Sequence, residues 1–291
     1  MSKAEDLRRL LAEPGLIVMP CCFDALSAKL VERAGFPLTF MSGFAVSVAR
    51  LGMPDTGLIS YGEMLDQGNS ICDAVSIPVI GDGDTGYGNP LNVKRTVQGY
   101  AKAGFACIMI EDQVAPKRCG HTPGKQTVSR NEAVTRLRAA LHARDELKDE
   151  KRGADILVMA RTDARATEGL EEALARAKIF REMGADITFL EAPHDKDEMR
   201  RYCDEVDGPK MANLVEQGDT PLLPHEELEE IGYKIVAYPL TLQLAAQQGM
   251  NDALAAMKAG HHSQNLASFA ELQAVAGFPE YFEAEKAYAE G

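Results

Sequence analysis

Residues 101–112, AKAGFACIMIED, run from the end of an amphipathic stretch through a glycine into a short apolar segment that closes on two carboxylates. The same order recurs in residues 32–43 (ERAGFPLTFMSG), 181–192 (REMGADITFLEA) and 229–240 (EEIGYKIVAYPL). Gly35, Gly104, Gly184 and Gly232 stand where a helix-terminating glycine takes the left-handed conformation and turns the chain into a strand. Working outward, short runs rich in Val, Ile and Phe fall at 16–20, 37–42, 78–82, 106–111, 156–161, 186–191, 210–214 and 234–238. They are too short for helices and too continuously apolar for strands with one wet face, as expected of strands buried on both sides. Amphipathic stretches such as SAKLVERAGF, NVKRTVQGYAKAGF, LEEALARAKIFREMGA and HEELEEIGY separate them. Eight such units predict an α/β fold, a (β/α)8 TIM barrel, with a helical tail over about 244–291. An open doubly wound sheet is the alternative, but eight units without a break in composition favour closure. No Pro- or Ser-rich linker divides the chain, so 1–291 reads as one barrel domain carrying that tail. RDELKDEKR (144–152) reads as a charged surface face or loop.

The chain has 291 residues, 45% of them hydrophobic and 26% charged, in the range of an ordinary globular protein. Lys and Arg number 31 against 44 Asp and Glu, a formal net charge of −13. Such a surface repels phosphate backbones and anionic lipid headgroups, so neither nucleic acid nor membrane is an expected partner. No apolar run approaches the roughly 20 residues that span a bilayer, and the opening MSKAEDLRRLLAEPGL lacks the apolar core of a secretory signal. Six scattered cysteines without a CxxC pair suit reduced thiols in a cytoplasm.

In barrels of this kind chemistry collects at the C-terminal ends of the strands. Those ends read Ser42-Gly43, Asp82-Gly83-Asp84, Glu111-Asp112, Arg161-Thr162-Asp163, Glu191 and Asn213. One or two could be helix caps; six at one end of a sheet point to an active site. Asp82, Asp84 and Glu111 are hard oxygen donors, which suits Mg²⁺, a cation that takes one or two carboxylates and fills its octahedron with water and substrate oxygens. Capping of the next helix is the structural alternative for Asp82 and Asp84. Residues 81–86 also match GxGxxG, but two aspartates would oppose the pyrophosphate that such a loop attracts. In Lys117-Arg118-Cys119-Gly120-His121 a thiol is flanked by cations that favour its thiolate, or else lies incidentally in a basic surface loop. Arg161 leaves a very apolar run and needs a carboxylate, from a substrate or from Glu191. Cys107, Cys72 and Cys203 read as inert core, and His225, His261 and His262 as surface or cap residues. No strand ends in a lysine, which argues against a Schiff-base aldolase.

These segments together resemble the isocitrate lyase / phosphoenolpyruvate mutase superfamily. The residues that carry the likeness are KRCGH (117–121), DGDTGYGNPLNVKR (82–95), MIEDQ (109–113), MARTDA (159–164), FLEAP (189–193) and ANLVEQGDTPL (212–222), in the family's order and over about residues 10–245. SGFAVSVARLGMPDTGL (42–58) and ARTDARATEGLEEA (160–173) are most similar to the 2-alkylmalate lyase, methylisocitrate lyase and petal-death-like branch. The resemblance implies a Mg²⁺-dependent barrel (Mn²⁺ being the substitute) that cleaves a C–C bond of a 2-hydroxy acid with a carboxylate on carbon 3. It also implies a homotetramer in which the last helix swaps between neighbours. By the same analogy Asp82, Asp84 and Glu111 hold the metal, with Asp55 in its outer shell. Cys119 is the general acid/base, tuned by His121 and beside Gly120. Arg161 and Asn213 bind the leaving carboxylate, Ser42, Gly43 and Phe44 hold the keto-acid half, and Glu191 orients the carboxylate network.

Departures from the family pattern narrow the substrate. Methylisocitrate lyases carry an Arg six residues beyond the Tyr of their YPL motif and another directly after CGH; here Leu244 and Thr122 stand there. A third carboxylate would then lack a partner, so a dicarboxylate with an apolar substituent, such as 2,3-dimethylmalate or another 2-alkylmalate, fits better than a tricarboxylate. Pro239 stands where oxaloacetate hydrolases carry a serine, which disfavours hydrolysis to oxalate and acetate. A C–C lyase is the expected activity. Methylisocitrate lyase, oxaloacetate hydrolase and a barrel retained only for binding are its rivals.

Overall fold

A computed structural model describes residues 2–120, 124–149 and 154–289. Eight parallel strands close into a barrel in sequence order: β1 (Ile17–Cys22), β2 (Thr39–Met41), β3 (Val79–Asp82), β4 (Cys107–Glu111), β5 (Leu157–Thr162), β6 (Ile187–Leu190), β7 (Lys210–Asn213) and β8 (Ile235–Tyr238). β1 pairs with β8 to complete the ring, Ile17 opposite Ile235 and Met19 opposite Ala237. The closed barrel excludes the open sheet, and all eight expected strands are present with bounds within two residues of those expected, β1 and β5 running on to Cys22 and Thr162.

Alternation along each strand explains the continuous apolar runs. Met19, Phe40, Ile80, Met109, Leu157, Met159, Phe189, Met211 and Ile235 pack together inside the barrel. Their neighbours Ile108, Ile110, Val158 and Ala160 face the helices on one side of the ring, and Leu190, Ala212 and Val236 those on the other. Both faces are dry, so polar residues are few before the strand ends, and Thr188 within β6 is satisfied by the Tyr202 hydroxyl at 2.8 Å. The helix Lys3–Ala12 adds Ala4 and Leu7 to the inner cluster. The glycines of the repeat do what their positions require: Gly35, Gly104, Gly184 and Gly232 have φ of +86, +90, +102 and +108°.

The amphipathic stretches form the helices Ala25–Arg33, Pro90–Lys102, Leu170–Glu182 and His225–Ile231. Residues 144–149 belong to the long helix Arg130–Asp149, while 150–152 lie outside the described residues. The chain divides into two compact units, Met1–Thr241, which contains the barrel, and Leu242–Gly291. Within the second, the helix Thr241–Lys258 continues to Lys258, and Phe269–Ala276 and Phe278–Ala289 follow.

Candidate active site

The period of two that fills the barrel also aims its polar residues. Continuing each inward series by one step leads from Ile80 to Asp82, from Met109 to Glu111, from Met159 to Arg161, from Phe189 to Glu191 and from Met211 to Asn213. Each inward row is apolar until its last member, so the charged groups converge at the C-terminal mouth. There Asp82, Arg161, Glu191 and Asn213 border a cavity of about 60 Å³, room for a compact acid, with Glu111 just behind its wall. Its wall includes Ser42, Phe44, Asp55, Asp82, Lys117, Cys119, Gly120, Arg161, Glu191, Asn213 and Pro239, with Phe40, Met109, Phe189, Val215 and Leu240 supplying an apolar lining.

Arg161 is the hub of the cationic side. Its Nε and Nη2 donate to Asp163 Oδ2 at 2.8 Å and Oδ1 at 3.0 Å. Nη2 also lies 3.2 Å from Glu191 Oε2, and Nε 3.4 Å from Glu111 Oε2. Nη1 takes part in none of these pairs. Burial opposes the charge, but Asp163, Glu191 and Glu111 outweigh it and hold the guanidinium well above its usual range. The expected partner Glu191 is therefore present, and Asp163 binds more closely still. Asp163 is fixed in turn: its N–H donates to Asp112 Oδ1 at 2.9 Å, and Asp112 also receives Thr162 Oγ1 at 2.7 Å and the buried Arg176 Nη1 at 3.0 Å. Asn213 Nδ2 stands 3.3 Å from Glu191 Oε2.

The acidic side is built around Lys117. Its ammonium lies 2.7 Å from Asp55 and 2.9 Å from Asp84 Oδ1, with all three side chains buried. Sequence reasoning gave this lysine to the Cys119 thiolate; in the structure two carboxylates claim it. Asp82 accepts the Asp84 N–H at 3.1 Å on Oδ1 and the Gly43 N–H at 3.2 Å on Oδ2. Gly43 has to be glycine, because a Cβ there would sit 2.6 Å from Asp82 Oδ2. Neither aspartate caps the next helix; Asn89 does so, accepting from Leu91 and Asn92. Asp84 itself takes a left-handed φ of +47°, which bends the chain so that its carbonyl receives the Glu111 N–H at 3.0 Å.

Of the three carboxylates expected at the metal, Asp82 lines the cavity, while Asp84 and Glu111 stand behind the wall, as does Gly43. Asp55, expected only in an outer shell, is part of the wall. No three His, Cys, Asp or Glu side chains among the described residues make a metal cage by themselves. A cation that keeps several waters does not need one. The charge balance favours such a cation: among the described residues Asp55, Asp82, Asp84, Glu111, Asp163 and Glu191 gather with Lys117, Arg118, Arg161 and Lys125, six carboxylates to four cations. Glu111 Oε1 is buried with no hydrogen-bond partner. Burial, reinforced by Asp84, pushes Asp82 up to about 6, and burial drives Glu111 well up although Arg161 pulls it back. Buried hard oxygens with surplus negative charge fit Mg²⁺.

The model of the phosphoenolpyruvate phosphomutase family matches residues 7–258. The chain belongs to this family. Within the family it is 41% identical to 2,3-dimethylmalate lyase of Eubacterium barkeri over the full length of both chains. It is 42% identical to 2-methylisocitrate lyase of Aeropyrum pernix, over 81% of this chain and 73% of that protein. Its fold superposes with a TM-score of 0.94 on oxaloacetate acetylhydrolase bound to 3,3-difluorooxalacetate, at 33% identity and covering 99% of this chain and 97% of that one.

The phosphomutase-family barrel thus gathers Ser42, Phe44, Asp55, Asp82, Cys119, Gly120, Arg161, Glu191, Asn213 and Pro239 around one cavity. His121 and Thr122 lie outside the described residues. Leu244 belongs to the C-terminal unit. Cys119 is half-buried, whereas Cys21, Cys22, Cys72 and Cys107 are buried, and Cys21 borders the cavity. Cys203, expected in the core, is only partly covered. Two residues were missed as supports: Lys125, which donates to the Gly120 carbonyl and lies 3.3 Å from Asp163 Oδ1, and Gln113, which holds Arg118. The polar GKQ run after the glycine was their only local signal for Lys125.

Proposed function

We propose that this protein is a Mg²⁺-dependent carbon–carbon lyase that cleaves a 2-hydroxy dicarboxylate, 2,3-dimethylmalate or another 2-alkylmalate, to an α-keto acid and a carboxylic acid. The observation that carries this reading is a single small cavity in which Arg161, Asn213, Asp82 and the Cys119 thiol meet an apolar lining of Phe40, Phe44, Val215, Pro239 and Leu240. The cations at the wall are Lys117, Arg118 and Arg161. Lys117 is committed to Asp55 and Asp84, and Arg161 divides itself among three carboxylates, which suits two substrate carboxylates better than three.

Asp82, Asp84 and Glu111 would hold Mg²⁺, with Asp55 as an outer carboxylate, and Mn²⁺ is the expected substitute. When bound, the ion supplies Lewis-acid polarisation of the substrate 2-oxygen. Arg161, through Nη1, and Asn213 bind the carboxylate of the departing half and stabilise the charge that builds there as the C–C bond breaks. The 2-hydroxyl gives its proton to a carboxylate of the acidic wall as its oxygen becomes the keto oxygen and the C–C bond breaks; Cys119 Sγ gives its proton to the carbon left with the bonding pair, and His121 tunes that thiol. Ser42, Gly43 and Phe44 hold the keto-acid half, and Gly120 lets the loop approach Arg161 and Glu191, where a Cβ would meet Arg161 Nη2 at 2.6 Å and Glu191 Cγ at 2.7 Å. Glu191 orients Arg161 and Asn213. The protein works as a homotetramer through its tail, a reading supported by the exposed row Met250, Leu254 and Met257 at helical spacing and by exposed Phe269, Leu272 and Tyr281. Light scattering on the purified protein measures the oligomer. A reducing cytoplasm suits its six free cysteines.

Product NMR of the purified protein with Mg²⁺ tests the function. Pyruvate and propionate from 2,3-dimethylmalate, abolished by EDTA, establish the alkylmalate lyase. Pyruvate and succinate from 2-methylisocitrate instead would overturn the substrate assignment but keep the lyase. Oxalate and acetate from oxaloacetate would replace the lyase by a hydrolase, the reading that the likeness to oxaloacetate acetylhydrolase favours and that Pro239, with no hydroxyl, opposes.

A further inference from the structure

Gln113 lies two residues beyond Glu111, the last residue of β4, and it is wholly buried. Its main chain forms the stem of the loop beyond. It forms an antiparallel bridge with Thr127, and its carbonyl accepts from Arg136 Nη1 at 2.8 Å, the same nitrogen that reaches the Glu111 carbonyl at 2.8 Å. On either side, the Val114 N–H donates to the Gln126 carbonyl at 2.8 Å and the Val128 N–H to the Asp112 carbonyl at 2.9 Å. The base of the loop is therefore pinned to the body of the protein.

The side chain of Gln113 crosses to the loop. Nε2 donates to the Arg118 carbonyl at 2.9 Å, and Oε1 accepts the Arg118 N–H at 3.0 Å. Both polar atoms of one amide thus engage the donor and the acceptor of one residue, as a neighbouring strand would. The next residue is Cys119. On its far side the Gly120 carbonyl is taken by Lys125. A thiol is a weak hydrogen-bond donor, so the backbone on either side is the firmer hold on its position.

We propose that Gln113 is a positioning residue that sets Cys119 against the substrate by clamping the main chain of Arg118. The proposal rests on Cys119 being the proton donor, as argued above. The carboxamide is needed because it carries a donor and an acceptor at the right separation; an oxygen pair in its place has nothing to offer the Arg118 carbonyl until it binds a proton.

The test measures alkylation of Cys119 by iodoacetamide, followed on its own peptide by mass spectrometry, beside kcat and KM, for the parent, Gln113→Ala and Gln113→Glu. Gln113→Ala should label several-fold faster and lose about 10- to 100-fold in kcat, with little change in KM, as expected of a displaced reacting group. Gln113→Glu should behave like Gln113→Ala at mildly alkaline pH. Its labelling and kcat, each divided by the parent's at the same pH, should return toward the parent on acidification, as the protonated carboxyl again donates to Arg118. Gln113→Glu keeps the shape of the side chain, so its acid form also serves as the folded reference if alanine unfolds the protein. Labelling and kcat like the parent's in Gln113→Ala, or in Gln113→Leu should alanine unfold the protein, would overturn the clamp. Loss of activity with no pH-dependent recovery would overturn it equally, leaving a general packing role. Turnover in Cys119→Ser separates the two readings: if it persists, Cys119 is not the proton donor, and the labelling ratios still decide whether Gln113 holds the loop.

Discussion

Asp163 grips Arg161 with both carboxylate oxygens, Oδ2 2.8 Å from Nε and Oδ1 3.0 Å from Nη2, from two residues further along the same strand end. A planar fork held on one edge can turn only its remaining nitrogen toward a ligand. The Asp112–Arg176 pair behind Asp163 keeps that edge in place.

Asp163→Asn should therefore weaken catalysis without touching substrate. We expect kcat/KM to fall by about 10- to 100-fold, the range found when the support of a site residue is removed. Steady-state kinetics on the substrate identified by NMR measures it. A value equal to the parent's would mean that Glu191 and Glu111 suffice to orient Arg161.

Gly43→Ala tests the packing of the acidic side. The added methyl would lie 2.6 Å from Asp82 Oδ2, so either the carboxylate or the β2 end must move. Overpacking of this kind costs about 1–3 kcal/mol. A lower melting temperature and a higher Mg²⁺ concentration for half-maximal activity should appear together.

Metal and pH should interact in a defined direction. Asp82 is pushed up to about 6 by burial, with Asp84 adding to it, so without metal the folded state holds a proton that the unfolded state has already released. Stability of the metal-free protein should fall as pH rises from the ordinary carboxylate range through about 6. Mg²⁺ should raise the melting temperature more above that window than below it. Thermal melts with Mg²⁺ and with EDTA at several pH values measure the difference; equal gains at all pH values would argue against a cation at these carboxylates.

Glu172 should show the opposite sign. Its hydrogen bond to Arg130, then that to Arg176, lowers it to about 2. Its contribution is complete above its unfolded value near 4.5 and is lost as pH falls toward about 2. Glu172→Gln should melt on the order of 2–4 °C lower at neutral pH, and the gap should close in acid.

Sequence by itself determined the repeating unit, because glycine turns and doubly apolar strands leave a periodic trace, and eight of them leave little choice but closure. It also determined which residues end the strands, and with them Asp82, Glu111, Arg161, Glu191 and Asn213. Partnership was decided only in three dimensions. Lys117 is local to Cys119 in the chain, yet its ammonium answers to Asp55, 62 positions away, and Asp84, because burial makes a charge seek its nearest opposite charge rather than its sequence neighbour. Asp112 and Asp163 look like further site carboxylates in the sequence, but Asp112 faces the buried Arg176, 64 positions on, and Asp163 backs Arg161. Which face of a strand a residue takes follows from a period of two, and that is legible. Which charge compensates which depends on distances across a closed ring, and only closure sets those.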